Sequence, residues 1–139
     1  MKDKYFLDTN IIVYSFEPSF KEKKNISDEL ILKALKGKGC ISFQTIQEFL
    51  NVAIRKFELP LKPEDLRTYL EGVLLPVCEV FPSKELYFSS LEIQERWKFS
   101  FYDSLIIAAA LESNCKVLYS EDLQHGQKIY ELTILDPFK

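Results

Sequence analysis

The chain has 139 residues, 47% hydrophobic and 28% charged, with a formal net charge of −3. That length fits one domain with a sizeable core. The slightly acidic balance excludes a nucleic-acid binder that works by phosphate neutralisation alone. No apolar run approaches the length of a membrane span, and the Met-Lys-Asp-Lys start is not expected to act as a signal peptide. Cys40, Cys78 and Cys115 are scattered and His125 is the single histidine, so neither a disulfide frame nor a structural zinc site is expected. The expectation is a cytoplasmic protein with buried free thiols.

In chain order, residues 4–7 read as a short buried strand. A helical turn follows from Asn10 to Phe16, stopped by Glu17-Pro18. Residues 17–25 read as a charged loop, with Lys21, Lys23 and Lys24 on a solvated face. Ser27 or Asp28 caps a helix carrying Leu30, Ile31, Ala34 and Leu35, ended by Gly37 and Gly39. Residues 40–42 make a brief strand. Residues 44–57 are helical, with Ile46, Phe49, Leu50, Ala53, Ile54 and Phe57 on one side. Pro63 with Glu64 and Asp65 starts the next helix, striped by Leu66, Tyr69, Leu70, Val73 and Leu74. A strand from Val77 to Phe81 precedes a helix opened by Pro82-Ser83 and running to Trp97. Residues 102–113 form a nearly all-apolar helix, and Lys116–Tyr119 and Leu132–Leu135 are the last strands. Five strands alternating with helices predict a single-domain α/β/α sandwich over residues 1–139, with a mostly parallel five-stranded sheet.

Ligands of such sheets bind outside the carboxyl ends of the strands. Acids stand at that edge. Asp8 closes the run Tyr5-Phe6-Leu7, and Glu121-Asp122 follows Val117-Leu118-Tyr119. Glu48 and Asp103 lie near helix starts that face the same edge. Each has a plain alternative. Asp8 is a good N-cap for the following turn. Ser100-x-x-Asp103 matches a capping box. Glu48 points away from its helix's apolar stripe, as a solvated glutamate would, and Glu121-Asp122 sits in an ordinary strand exit. Asp103, however, heads a helix with no wet face, and a buried charge needs a partner. Converging carboxylates repel unless a divalent cation lies between them, which is the chemistry of metal-dependent phosphodiester hydrolysis.

The joint pattern resembles a family. Leu7-Asp8-Thr9-Asn10 looks like the opening motif of PIN-domain nucleases, and Gln47-Glu48-Phe49 like their helical glutamate. Phe101-Tyr102-Asp103-Ser104-Leu105 looks like the third motif, Leu118 to Leu123 with Gln124-His125-Gly126 like the fourth, and Leu135-Asp136-Pro137-Phe138 like the closing strand and exit. Within that family the chain most resembles the VapC-type toxins of type II toxin–antitoxin pairs. The resemblance implies a Mg²⁺- or Mn²⁺-dependent endoribonuclease whose site is Asp8, Glu48, Asp103 and Asp122. Thr9, Asn10 and Ser120 would hold those carboxylates, with Glu121 in a variable position. Products carrying 5′-phosphate and 3′-hydroxyl are implied, as are a structured RNA substrate of the tRNA or rRNA class, a cognate antitoxin and a homodimer, whose expected interface is helices 28–36 and 63–74 because each has a broad apolar stripe. Tyr14, Phe16, Phe20, Phe99 and Phe101 flank the motifs and read mainly as core. Two other readings stand beside this one. A haloacid-dehalogenase-like phosphatase would need a second Asp where Asn10 stands. A non-catalytic PIN-like RNA- or protein-binding module would need no metal.

Overall fold

A computed structural model describes residues 3–55 and 61–139. Its sheet has six strands in the order β3-β2-β1-β4-β6-β5. These are β1 (Tyr5–Leu7), β2 (Gly39–Ser42), β3 (Cys78–Val80), β4 (Val117–Tyr119), β5 (Lys128–Ile129) and β6 (Leu132–Leu135). All neighbours pair in parallel except β5, which runs antiparallel to β6 at the edge. The sheet is therefore larger by one strand than the five expected. Two residues, Lys128-Ile129, are too short a run to carry an alternating pattern, and only pairing with Leu132 and Thr133 makes them a strand.

Side-chain alternation along β1 divides the core in two. Phe6 joins Val80, Leu118, Ile134 and the helices α6 (Lys84–Trp97) and α7 (Phe101–Glu112) on one face. Tyr5 and Leu7 join Ile11, Ile31, Phe49 and Leu74 on the other. That second face is covered by α1 (Thr9–Tyr14), α2 (Lys21–Lys33), α3 (Phe43–Arg55), α4 (Pro63–Tyr69) and the short α5 (Leu75–Val77). Helices on both faces of a mostly parallel sheet give the expected sandwich.

One local expectation is corrected. The segment 17–25 is not a loop throughout, because α2 begins at Lys21. Lys and Glu are good helix formers, so a charged run is not by itself a loop signal. Phe20, at the N-cap, meets the Tyr14 ring edge-on at 5.6 Å and anchors the start of α2. Ser27 is consequently no cap and lies buried mid-helix. Further on, α2 widens into a π-turn at Ala34–Lys38, where Gly37 takes a φ of 93°. The expected end of the α3 helix at Phe57 lies outside the described residues.

Strand order reverses at β1. The chain moves from β1 to β2 and β3 on one side, then to β4 and β6 on the other. The crevice beyond the carboxyl ends of β1 and β4 is thus a topological switch point, the usual ligand position in such sheets. Among the described residues no helix is long and apolar enough to cross a membrane.

Candidate functional site

Beyond that switch point lies a cavity of about 320 Å³, lined by Asp8, Glu48, Asp103, Asp122, Asn51 and Tyr102 among others. Size does not single it out, since a cavity of about 330 Å³ lies against α6 and α7. Its donor set does. Four carboxylates from four segments line it, and among the described residues none of the four is ion-paired to a Lys or Arg.

Asp8 follows β1 directly and is both cap and cavity acid. Its Oδ1 accepts from the Thr9 backbone N–H at 2.8 Å, capping α1, and its Oδ2 accepts from the Ser120 hydroxyl at 2.8 Å. Ser120 is fully buried just after β4, and it also accepts from the Asp122 and Leu123 backbone N–H groups. One hydroxyl therefore ties the ends of β1 and β4 together. Burial pushes the Asp8 carboxyl up to about 6. The Ser120 and Thr9 hydrogen bonds oppose that shift, while the charges of Glu48 and Asp122 add to it.

Glu48 is not the solvated side chain its helix periodicity suggests. It is half-buried and held from two sides. The Thr9 hydroxyl donates to its Oε1, and Gln44 Nε2 donates to its Oε2 at 3.2 Å. Asp103 is half-buried in the first turn of α7, where Ser100 caps the helix by accepting from the Asp103 backbone N–H at 3.1 Å. The capping motif and the cavity position coexist, because the cap uses the backbone of Asp103 and leaves its carboxylate to the cavity. From Ser104 to Ala110 the helix is entirely buried, as its lack of a wet face implied.

Asp122 and Glu121 are neighbours with opposite surroundings. Exposed Asp122 accepts from Asn10 Nδ2 at 2.9 Å. Partial burial raises its pKa, and the charges of Glu121, Asp103, Asp136 and Glu48 raise it further. Glu121 turns away to an ion pair with Lys23 and accepts from the Tyr14 hydroxyl at 2.7 Å. Burial favours its neutral form, but Lys23 and Tyr14 outweigh that and hold its pKa below the usual range. Lys23 itself, read from sequence as part of a solvated face, sits 4.7 Å from the Tyr14 ring centroid and 5.3 Å from that of Phe138.

The aromatic expectations divide. Phe16 and Phe99 pack against the core clusters. Phe20 and Phe101 are exposed. Tyr102, not singled out from sequence, is 65% exposed and lines the cavity. Gln44 was also missed, although it precedes Glu48 by four residues, the spacing at which side chains on one helix meet. His125 accepts from the Asp136 backbone N–H through Nδ1 at 2.9 Å, which gives it a role in holding a turn.

The donor chemistry suits a hard divalent cation, which prefers oxygen ligands. Burial first, and the Glu48 and Asp122 charges after it, raise Asp8 to about 6. Asp8, Glu48, Asp103 and Asp122 are the residues that would hold the ion. As the side chains stand, no three His, Cys, Asp or Glu groups among the described residues form a ready ion-binding cluster. The cavity offers the ligands; their coordination sphere is not drawn together.

Comparisons with known proteins agree with this frame. The family model of the PIN domain matches residues 5–128. A solved structure described as a toxin-antitoxin complex from Klebsiella pneumoniae superposes with a TM-score of 0.65 at 19% sequence identity, over 96% of this chain and 98% of that one. No curated protein matches significantly in sequence.

Proposed function

The chain belongs to the PIN-domain family, and on that basis we propose that it is a Mg²⁺- or Mn²⁺-dependent endoribonuclease acting as the toxin of a toxin–antitoxin pair. The observation that carries this reading is the convergence of Asp8, Glu48, Asp103 and Asp122 on one cavity without a counter-cation. A purely structural set of acids would be paired or dispersed, because unpaired carboxylates brought together disfavour the fold. When bound there, a divalent ion supplies Lewis-acid activation of water and offsets phosphate charge.

The chain's own residues position the acids. Ser120 and Thr9 orient Asp8, Thr9 and Gln44 orient Glu48, and Asn10 orients Asp122. Glu121 is occupied by Lys23 and Tyr14, so its role is to anchor the segment that presents Asp122. Exposed Tyr102 and Phe101 beside Asp103 suit stacking on unpaired bases, the usual basis of single-stranded RNA recognition.

An apolar groove of about 490 Å³ between α3 and α4, lined by Leu50, Ile54, Leu61, Leu66 and Leu70, supports an antitoxin helix as the occupant. A basic side chain of that partner would fill the acidic cavity, since α3 lines both the groove and the cavity. A homodimer is part of the same reading. Its candidate faces are 28–36, where Leu32 and Leu35 are exposed, the helix 63–74, and the broader exposed face of α6 with Tyr87, Phe88 and Leu91. Light scattering at micromolar concentration tests it, and a monomer there removes it.

The direct test of the activity is cleavage of a fluorogenic single-stranded RNA with Mn²⁺ or in excess EDTA. Cleavage that needs Mn²⁺ and vanishes in Asp103→Asn is expected. Equal cleavage in EDTA, or none in Mn²⁺, overturns the reading.

A further inference from the structure

Gln44 is buried at 4% exposure in the first turn of α3 and lines the acidic cavity. Its Nε2 donates both to Glu48 Oε2 at 3.2 Å and to the Tyr102 carbonyl at 3.3 Å. Both partners are acceptors, so the amide orientation is determined: its nitrogen must face them. Its Oε1 then points away, buried and with no hydrogen-bond partner. An unpaired buried acceptor is costly. A side chain present only to fill this volume would be Met or Leu, which fill it without that cost. What the amide adds is two donors, aimed at the two sides of the site.

Those sides come from different elements. Glu48 is on α3, and the Tyr102 carbonyl belongs to the first turn of α7, beside Asp103. Thr9 holds the other oxygen of Glu48 from α1. Without Gln44, Glu48 keeps a single tether and can rotate toward solvent, the direction its own helix periodicity favours. The first turn of α7 likewise loses its side-chain link to α3.

We propose that Gln44 is a positioning residue that holds Glu48 and the Asp103 turn in mutual register through its two donors. This sets the cavity's affinity for a divalent cation. The inference rests on the nuclease reading above and adds to it a residue that acts through Glu48 and the Asp103 turn.

The test uses the full chain and Mn²⁺ as the probe, with affinity measured by calorimetry beside RNA cleavage. Gln44→Met keeps the volume and removes the donors. Mn²⁺ affinity and kcat are expected to fall about 10- to 100-fold, the usual loss for a partner that orients a ligand, with KM for RNA unchanged. In a Glu48→Ala background Gln44 keeps only its link to the Tyr102 carbonyl, so adding Gln44→Met should lower Mn²⁺ affinity by a smaller factor than it does in the wild type. Losses that multiply in the double variant overturn the proposal, as does Gln44→Met matching wild type in a wild type that binds and cleaves. Melting of Gln44→Met and Gln44→Leu in EDTA close to wild type is expected. If both unfold at assay temperature, Gln44 supports the fold rather than the acids, and the proposal falls. Wild-type protein that neither binds Mn²⁺ nor cleaves RNA defeats the nuclease reading itself.

Discussion

The two ends of the sheet treat charge in opposite ways. At the amino ends of the strands, Lys4 pairs with Glu79 and Lys116 with Glu131. The Lys4 ammonium also donates to the Ser113 carbonyl at 3.2 Å. At the carboxyl ends, among the described residues, Asp8, Glu48 and Asp122 receive only neutral donors: Ser120, Thr9, Gln44 and Asn10. Neutral donors orient a carboxylate without cancelling its charge. The contrast repeats within one dipeptide, since Lys23 lowers the pKa of Glu121 while Asp122, one residue on, is raised. Under the proposed function, acids kept oriented but unneutralised are what a cation from outside the chain would pair with.

The largest expected effect breaks the acidic end outright. Asp8→Asn and Asp103→Asn should each lower Mn²⁺-dependent RNA cleavage by more than about 100-fold, beyond the loss typical of an orienting partner. Single-turnover assays on folded variants check this, and full activity in Asp103→Asn would sink the metal mechanism. Glu48→Gln belongs with them. Asp122→Asn should lose less, and Glu121→Gln least, because Glu121 is already paired with Lys23.

Next comes pH. The Asp8 pKa is raised from 3.8 to about 6 in the folded protein. The folded state therefore binds the proton more tightly than the unfolded state. The resulting stability is fully present below pH 4 and is lost as pH rises through about 6. The shift of about two units corresponds to at most about 3 kcal/mol. In EDTA, wild type should lose stability from this group between pH 4 and 6, and Asp8→Asn should lack that component. Urea titrations at pH 4 and pH 7 measure it; identical pH slopes for the two proteins would show that Asp8 is an ordinary cap. Asn caps as well as Asp, so loss of the cap does not obscure the comparison.

Mn²⁺ should then stabilise the wild type by about 2.7 kcal/mol at a hundred times its Kd. The same ion should stabilise Asp8→Asn and Asp103→Asn less. Melting temperatures with and without Mn²⁺ test this, and no shift in any of the three leaves the acids without a cation.

The smallest effect sharpens the comparison inside the Glu121-Asp122 pair. Lys23→Met releases Glu121 toward the cavity and removes the anchor on the segment carrying Asp122. Cleavage should fall by less than about tenfold, below the usual range for a residue that orients a ligand directly. A loss as large as that of Asp103→Asn would place Glu121 among the cavity's working acids.

Much of this was legible in the chain because it is local. Period-two and period-3.6 patterns depend on the residues of one element, so the strands at Tyr5–Leu7 and Leu132–Leu135 and the all-apolar α7 could be read from the sequence. Asp8, Asp103 and Asp122 could be listed because each sits at an element end, and Glu48, inside α3, through its motif resemblance. Periodicity misjudged Glu48, since it describes one helix and cannot see Thr9 arriving from α1. It missed α2's first turns because Phe20 is anchored by Tyr14, a contact between separate elements. The strand at Lys128–Ile129 exists only through its partner β6. That Lys23 closes on Glu121, 98 residues away, and that Gln44 reaches Tyr102, 58 residues away, were decided by the tertiary structure. Hydrogen bonds and ion pairs act over a few ångströms in space, and sequence separation carries no information about that distance until the sheet order is set.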